Sequence, residues 1–154
     1  MKAVLQRVSY ARSVTEGKIS GETGEGLLIF LGVFEGDGGE EAGFLAQKCA
    51  ELRIFSDKND KMNLSLLDTG GGALVVSNFT LCANARKGRR PSFTASAPPE
   101  RANALYEYFI SKLKEAGVKR VESGIFGADM KIELSNSGPV TIILDTREIM
   151  PGKV

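Results

Sequence analysis

The chain opens on a loose apolar–polar alternation. Lys2–Val8 is rich in β-formers and reads as a strand, and Lys18–Glu22 is expected to pair nearby. Gly26–Val33 (GLLIFLGV) is continuously apolar between glycines, the pattern of a strand buried on both faces. A Gly/Asp/Glu loop is expected over Glu35–Glu41. A helix is expected over Gly43–Arg53, where Phe44, Leu45, Cys49 and Leu52 share one face. Ser56–Asn63 reads as a polar turn and Thr69–Gly72 as a glycine-rich one. The latter launches a strand over Ala73–Leu81 that starts β-branched and ends polar. Cys82–Ala97 shows no clean period. Pro98 and Pro99 suit the first turn of a helix, where a missing N–H costs nothing. Ala102, Leu105, Phe109 and Leu113 then recur at helical spacing, and Gly117 stands where a capping glycine belongs. Val118–Ile125, Met130–Ser135 and Val140–Asp145 read as three closing strands, and Arg147–Val154 as a weakly structured tail. Strands first and last with two main helices between them do not alternate as in a doubly wound fold. The expectation is an α+β domain with a mostly antiparallel sheet, a single unit over residues 1–154 without internal repeat or linker.

Composition narrows the chemistry. The chain has 154 residues, 42% hydrophobic and 25% charged, close to globular averages. Its net charge is +1, so any nucleic-acid binding must come from a local patch. No stretch approaches the roughly 18 apolar residues of a membrane span. No apolar run precedes a small-residue cleavage site near the start, which points to a cytoplasmic protein with reduced thiols. Cys49, on an apolar helical face, reads as a small buried hydrophobe. There is no histidine at all. That rules out Ser-His-Asp and Cys-His mechanisms, and two cysteines without histidine cannot build a standard zinc site. No metal and no cofactor are expected, and a hydrolase built from this chain must avoid the two common routes.

Three segments stand out, each with a plain alternative. Ser77-Asn78-Phe79-Thr80-Leu81 ends a buried strand. Its terminal N–H groups lack ladder partners and can form an oxyanion hole, or its hydroxyls simply face solvent. Asn136-Ser137-Gly138-Pro139-Val140-Thr141 consists of turn residues and reads as a hairpin. A cis Gly138–Pro139 bond would instead present two carbonyls with no Cβ in front, a rigid surface able to sort ligands by steric exclusion. Arg86-Lys87-Gly88-Arg89-Arg90 puts four cations in five positions, a density suited to a phosphate backbone or to a solvated loop.

Together these segments resemble the D-aminoacyl-tRNA deacylase family. The resemblance runs over roughly Met1–Thr146 and includes AVLQRV, GLLIFLGV, LRIFSDKNDKMNLS, LVVSNFTL, RKGRRPSF, APPERANALYEYF, GIFGADM and NSGPVTIILD. The family motif Ser-Gln-x-Thr-Leu falls on Ser77 to Leu81, with Asn78 in place of the usual Gln. The motif Asn-x-Gly-Pro-x-Thr falls on Asn136, Gly138, Pro139 and Thr141 and matches at every fixed position. The resemblance implies a barrel-like sheet and hydrolysis of the ester of D-aminoacyl-tRNA, with glycyl-tRNA also admitted. It implies a homodimer with a cross-subunit active site, in which Gly138 and Pro139 of one copy form the chiral filter of the other. Phe126 and Met130 are similar to pocket-lining residues of the family. The partner implied is the aminoacylated 3′ end of tRNA, with neither DNA nor a membrane involved.

Such an ester is already activated, so positioning it against a water or the neighbouring ribose 2′-hydroxyl goes far. Backbone N–H groups near Phe79 and Thr80 would stabilise the oxyanion. The Thr80 hydroxyl as nucleophile is the alternative, and it lacks a histidine base. The rival classes are a non-catalytic RNA-binding module and an esterase or peptidase for small molecules.

Overall fold

The computed structural model describes residues 1–153; Val154, the end of the expected tail, lies outside the described residues. In chain order the elements are β1 (Lys2–Thr15), β2 (Lys18–Thr23), β3 (Gly26–Gly32), α1 (Gly39–Glu51), β4 (Phe55–Ser56), β5 (Met62–Leu64), α2 (Leu66–Thr69) and β6 (Gly72–Ser77). A 3-10 turn (Phe79–Cys82), α3 (Pro99–Ala116), β7 (Val121–Ser123), β8 (Lys131–Asp145) and α4 (Thr146–Ile149) follow. β1 pairs antiparallel with β2, β3 and β8, whereas β3–β6 and β6–β7 are parallel. The sheet curls until its two ends meet: the Glu22 N–H on β2 donates to Glu122 Oε1 on β7 at 2.9 Å. The α+β, barrel-like expectation holds, with α1 and α3 as the main helices.

Alternation along the strands divides the core. Leu27, Ile29, Leu31, Ala73 and Val75 face α1 and α3, where they meet Leu45, Cys49, Leu105, Phe109 and Leu113. Leu28, Leu74 and Val76 point to the other face and pack with Val8 and Ala11 under Met130, Ile132 and Leu134. A strand flanked by layers on both sides must be apolar at every position, which is why GLLIFLG lacks a period. Phe109 is fully buried where α3 meets this core, and Phe109→Ala would cost about 3–5 kcal/mol.

Several boundaries differ from the sequence reading. α1 begins at Gly39, inside the expected acidic loop. Glu40 and Glu41 occupy its first turn, where the helix dipole favours anions, and Glu41 Oε2 accepts the Gly38 N–H at 2.7 Å. The polar turn at Ser56–Asn63 is the tip of a small hairpin, β4–β5. The strand expected to Leu81 stops at Ser77. Its parallel partner β3 ends at Gly32, and the chain folds over that glycine, where a Cβ would lie 2.8 Å from Leu81 Cβ. Of the three closing strands, the first is the short β7. The other two are one strand, β8, because β1 is long enough to pair with both halves. Beyond it the tail forms α4, in which the Asp145 carboxylate accepts the Arg147 N–H at 3.0 Å and Thr146 is fully buried.

Candidate active site

A cavity of about 1090 Å³ opens at the carboxyl ends of the parallel strands β3 and β6. Backbone groups beyond the end of a strand have run out of ladder partners and are free to meet a ligand. Leu31, Val33, Val76 and Ile132 form its apolar base, and Pro98, Pro99 and Ala102 bring the start of α3 to its side. Ser77, Asn78, Phe79 and Thr80 enter from the turn after β6, and Phe126 and Met130 from the segment after β7. Six residues singled out in the sequence thus share one cavity. The carboxylates of Glu35 and Asp129 also line it, and no spacing in the sequence marked them.

The turn is locally anchored. The Asn78 N–H donates to Leu31 O at 2.8 Å, which carries the β3–β6 ladder one residue past the strand, and the Leu81 N–H returns to Asn78 O at 3.3 Å. Phe79 and Thr80 open the 3-10 turn, so no preceding carbonyl of the turn can accept their N–H groups, and Asn78 provides no side-chain cap. The Thr80 hydroxyl donates to Asn78 Oδ1. Its proton therefore rests on an amide oxygen, which is not a base. Cys82 is buried in the same turn with its Sγ 3.4 Å from Val33 O. Burial pushes this thiol up, away from the thiolate form that nucleophilic chemistry needs.

The Asn136–Thr141 segment lies elsewhere. It is a bulge within β8, where the register against β1 shifts between Gln6 and Val8 and again between Val8 and Tyr10. The Gly138–Pro139 bond is cis, and Gly138, Pro139 and Thr141 are exposed. None of the four motif residues lines the cavity of its own chain. The Asn136 side chain braces the bulge from within. Its Nδ2 donates to Gln6 Oε1 and to Val140 O, both at 3.0 Å, and lies 3.3 Å from Thr141 Oγ1. Its Oδ1 accepts the Val140 N–H at 2.8 Å. A residue that the sequence reading missed completes the brace. Arg7 Nε donates to Ser137 O at 2.8 Å and its Nη1 to Ile54 O at 2.9 Å. Arg7 lies on the opening strand, 130 positions before Ser137, and nothing local to it signals this contact.

The basic cluster occupies a loop closed at its base by paired Asn84 and Ser92 backbone bonds of 2.8 and 2.9 Å. Arg86, Lys87, Arg89 and Arg90 are all exposed at its tip and outside the cavity. Just past the base, Phe93 meets Phe79 edge-to-face at 5.2 Å between ring centroids. This contact joins the cationic loop to the lip of the cavity. Among the described residues no three Cys, Asp or Glu side chains cluster as metal ligands, and no helix is long and apolar enough to cross a membrane.

The family described as D-Tyr-tRNA(Tyr) deacylase matches residues 4–145. The chain belongs to this deacylase family. A D-aminoacyl-tRNA deacylase of Koribacter versatilis (strain Ellin345) is 54% identical to it over 148 residues, 96% of this chain and 99% of the relative. Among solved structures, one described as a c-Myc DNA unwinding element binding protein superposes with a TM-score of 0.89 at 35% identity, covering 94% of this chain and 98% of that one. A structure described as a probable eukaryotic D-amino acid tRNA deacylase gives a TM-score of 0.81 at 18% identity, over 93% and 97% of the two chains, and shares the fold. The deacylase-family match spans both the turn after β6 and the bulge in β8.

Proposed function

We propose that this chain is a D-aminoacyl-tRNA deacylase, which hydrolyses the ester between a D-amino acid and the terminal ribose of tRNA. The observation that carries the reading is the pair of capless N–H groups of Phe79 and Thr80 on the rim of a cavity lined chiefly by apolar residues. Hydrolysis of an ester passes through a tetrahedral oxyanion. Fixed donors in a water-poor cavity stabilise that charge without reorganising, and one such donor is typically worth about 3 kcal/mol.

In this reading the cavity holds the aminoacyl ribose, and a water, oriented by the ribose 2′-hydroxyl, attacks the carbonyl carbon. The carbon–oxygen bond to the ribose breaks, the departing ribose oxygen takes up a proton while the attacking water gives one to solvent, and the free D-amino acid leaves. Ser77 and Asn78 shape the turn, and the Thr80 hydroxyl positions it through Asn78 rather than attacking. Phe126 and Met130 wall the substrate. Glycyl-tRNA, with no side chain to exclude, is a second substrate. The loop bearing Arg86, Lys87, Arg89 and Arg90 holds the phosphates behind the single-stranded end.

The exposed bulge supports reading the enzyme as a homodimer. Gly138 and Pro139 have no function within reach of their own cavity, and their carbonyl-bearing backbone is braced to present a fixed shape outward. Seated over the cavity of a second copy, that bare main chain collides with the side chain of an L-amino acid and admits the D-form. We place the enzyme in the cytoplasm, as a single folded unit. The competing reading, a non-catalytic RNA-binding module, predicts binding without turnover. A single-turnover assay of D-tyrosyl-tRNA and L-tyrosyl-tRNA without added metal tests the proposal. Release of the D-amino acid alone is expected, and no release above the uncatalysed rate sinks it.

A further inference from the structure

Behind the Met130 side chain lies Gly124, which does not itself line the cavity. Its backbone is pinned: the Gly124 N–H donates to Val75 O on β6 at 3.1 Å. That carbonyl also accepts the buried Tyr106 hydroxyl at 2.8 Å. A Cβ on Gly124 would lie 2.5 Å from Met130 Sδ and 3.1 Å from Ser13 Oγ. These two neighbours differ in their freedom to move. Ser13 is fully buried on β1, between β2 and β8, and its oxygen accepts the Ser20 hydroxyl at 3.0 Å. Met130 is half-buried, and its thioether is the far end of an unbranched side chain with the cavity in front of it. Gly124 does not have a left-handed φ, so a side chain there would cost no backbone strain. The glycine is required for the space it leaves.

We propose that Gly124 is a positioning residue for substrate binding: by lacking a Cβ it lets the Met130 thioether seat against the sheet, and so sets the width of the cavity that receives the aminoacyl ribose. The inference rests on the deacylase reading for its substrate and on geometry alone for the movement it predicts. Gly124→Ala leaves the thioether no room behind and drives it about 1 Å or more into the cavity, the distance needed to restore an ordinary contact.

The test combines a crystal structure of Gly124→Ala with single-turnover kinetics on D-tyrosyl-tRNA. In the structure, Met130 Sδ is displaced toward the cavity while Ser13 and the Gly124–Val75 hydrogen bond stay in place. In the kinetics, half-saturation rises about tenfold while the plateau rate changes less than about twofold, the mark of lost binding rather than lost chemistry. In a Met130→Ala background the same Gly124→Ala change has no further effect on half-saturation, because the atom it displaces is gone. Should Gly124→Ala alone fold poorly, the double variant with Met130→Ala folds, and a double variant that still fails overturns the proposal. So does a structure in which Ser13 or the backbone moves instead, or a half-saturation shift of equal size with and without the Met130 side chain. Failure of the wild type to hydrolyse the substrate would strike the functional reading and leave the crystallographic outcome to decide the positioning role.

Discussion

Two polar interruptions of strands behave in opposite ways in this molecule. The Ser77–Leu81 segment leaves β6 at the mouth of its own chain's cavity and keeps two backbone donors uncapped. The Asn136–Thr141 segment stays inside β8, lies outside the lining of that cavity, and ties its polar atoms to Asn136, Arg7 and Gln6. A site that must stabilise developing charge needs hydrogen-bonding capacity left over. A site that must only exclude a shape needs the reverse, every group satisfied so that nothing yields. Under the proposed function the first segment carries the chemistry and the second the selection, and each role can be broken separately.

The largest expected effect falls on selection. A Cβ on Gly138 would meet Val140 N at 2.7 Å and Val140 Cγ2 at 2.8 Å, on a backbone position with φ +151°. Backbone atoms cannot step aside as a flexible side chain does, so Gly138→Ala displaces the bulge. The ratio of D- to L-aminoacyl-tRNA hydrolysis rates should fall by on the order of 100-fold, equivalent to about 2.7 kcal/mol of discrimination. The rate on the D-substrate should change only a few-fold. An unaltered ratio with a displaced bulge would move the filter elsewhere.

The next effect concerns how the cavity acquires its substrate. Replacing Arg89 and Arg90 together with Ala should weaken tRNA binding about tenfold at low salt and lower the slope of log affinity against log salt by about 1.5. Titrations at several salt concentrations measure both, and an unchanged slope would make the loop a solvated surface. A smaller effect sharpens the assignment of chemistry. Thr80→Ala should leave the single-turnover rate within about threefold of wild type, since the hydroxyl only steadies Asn78. A fall of about a thousandfold or more would make that hydroxyl the nucleophile.

The smallest effect lies at the anchored end of β8, remote from the bulge. Burial raises the Asp145 carboxyl, but hydrogen bonds and charge from Arg147 outweigh it and hold the group below its ordinary 3.8. A carboxyl depressed in the folded state contributes stability above its unfolded value, and that contribution disappears as pH falls through the folded value. Asp145→Ala should therefore cost about 1 kcal/mol at neutral pH, through the lost cap of α4, and less in strong acid. Chemical denaturation at pH 7 and pH 3 reads both, with hydrolysis at neutral pH unchanged.

How much of this was legible in the sequence depends on the range of the interactions involved. α3 was readable in full, because the spacing of Ala102, Leu105, Phe109 and Leu113 and the Gly117 cap are local facts, and all four of those side chains are buried. The double burial of β3 was readable from its unbroken apolar run. The gathering of Ser77 to Thr80 with Phe126 and Met130 was foreseen only through family resemblance. No local rule places a turn after β6 opposite a segment nearly fifty positions later.

Other features lay beyond a reading along the chain. Asn-Ser-Gly-Pro has the composition of a hairpin turn, yet it is a bulge in one strand. What decides this is the length of β1, which offers partners to both flanks and makes reversal unnecessary. The strand expected through Leu81 ends early because β3 runs out beside it. Arg7 braces Ser137 and Ile54 across distances no periodicity spans. Local residue order was enough to show which segments are apolar, where α3 starts and is capped, and which chemistries a chain without histidine cannot perform. Which polar groups find partners is settled by the three-dimensional packing, because a donor's satisfaction depends on atoms far away along the chain and close in space.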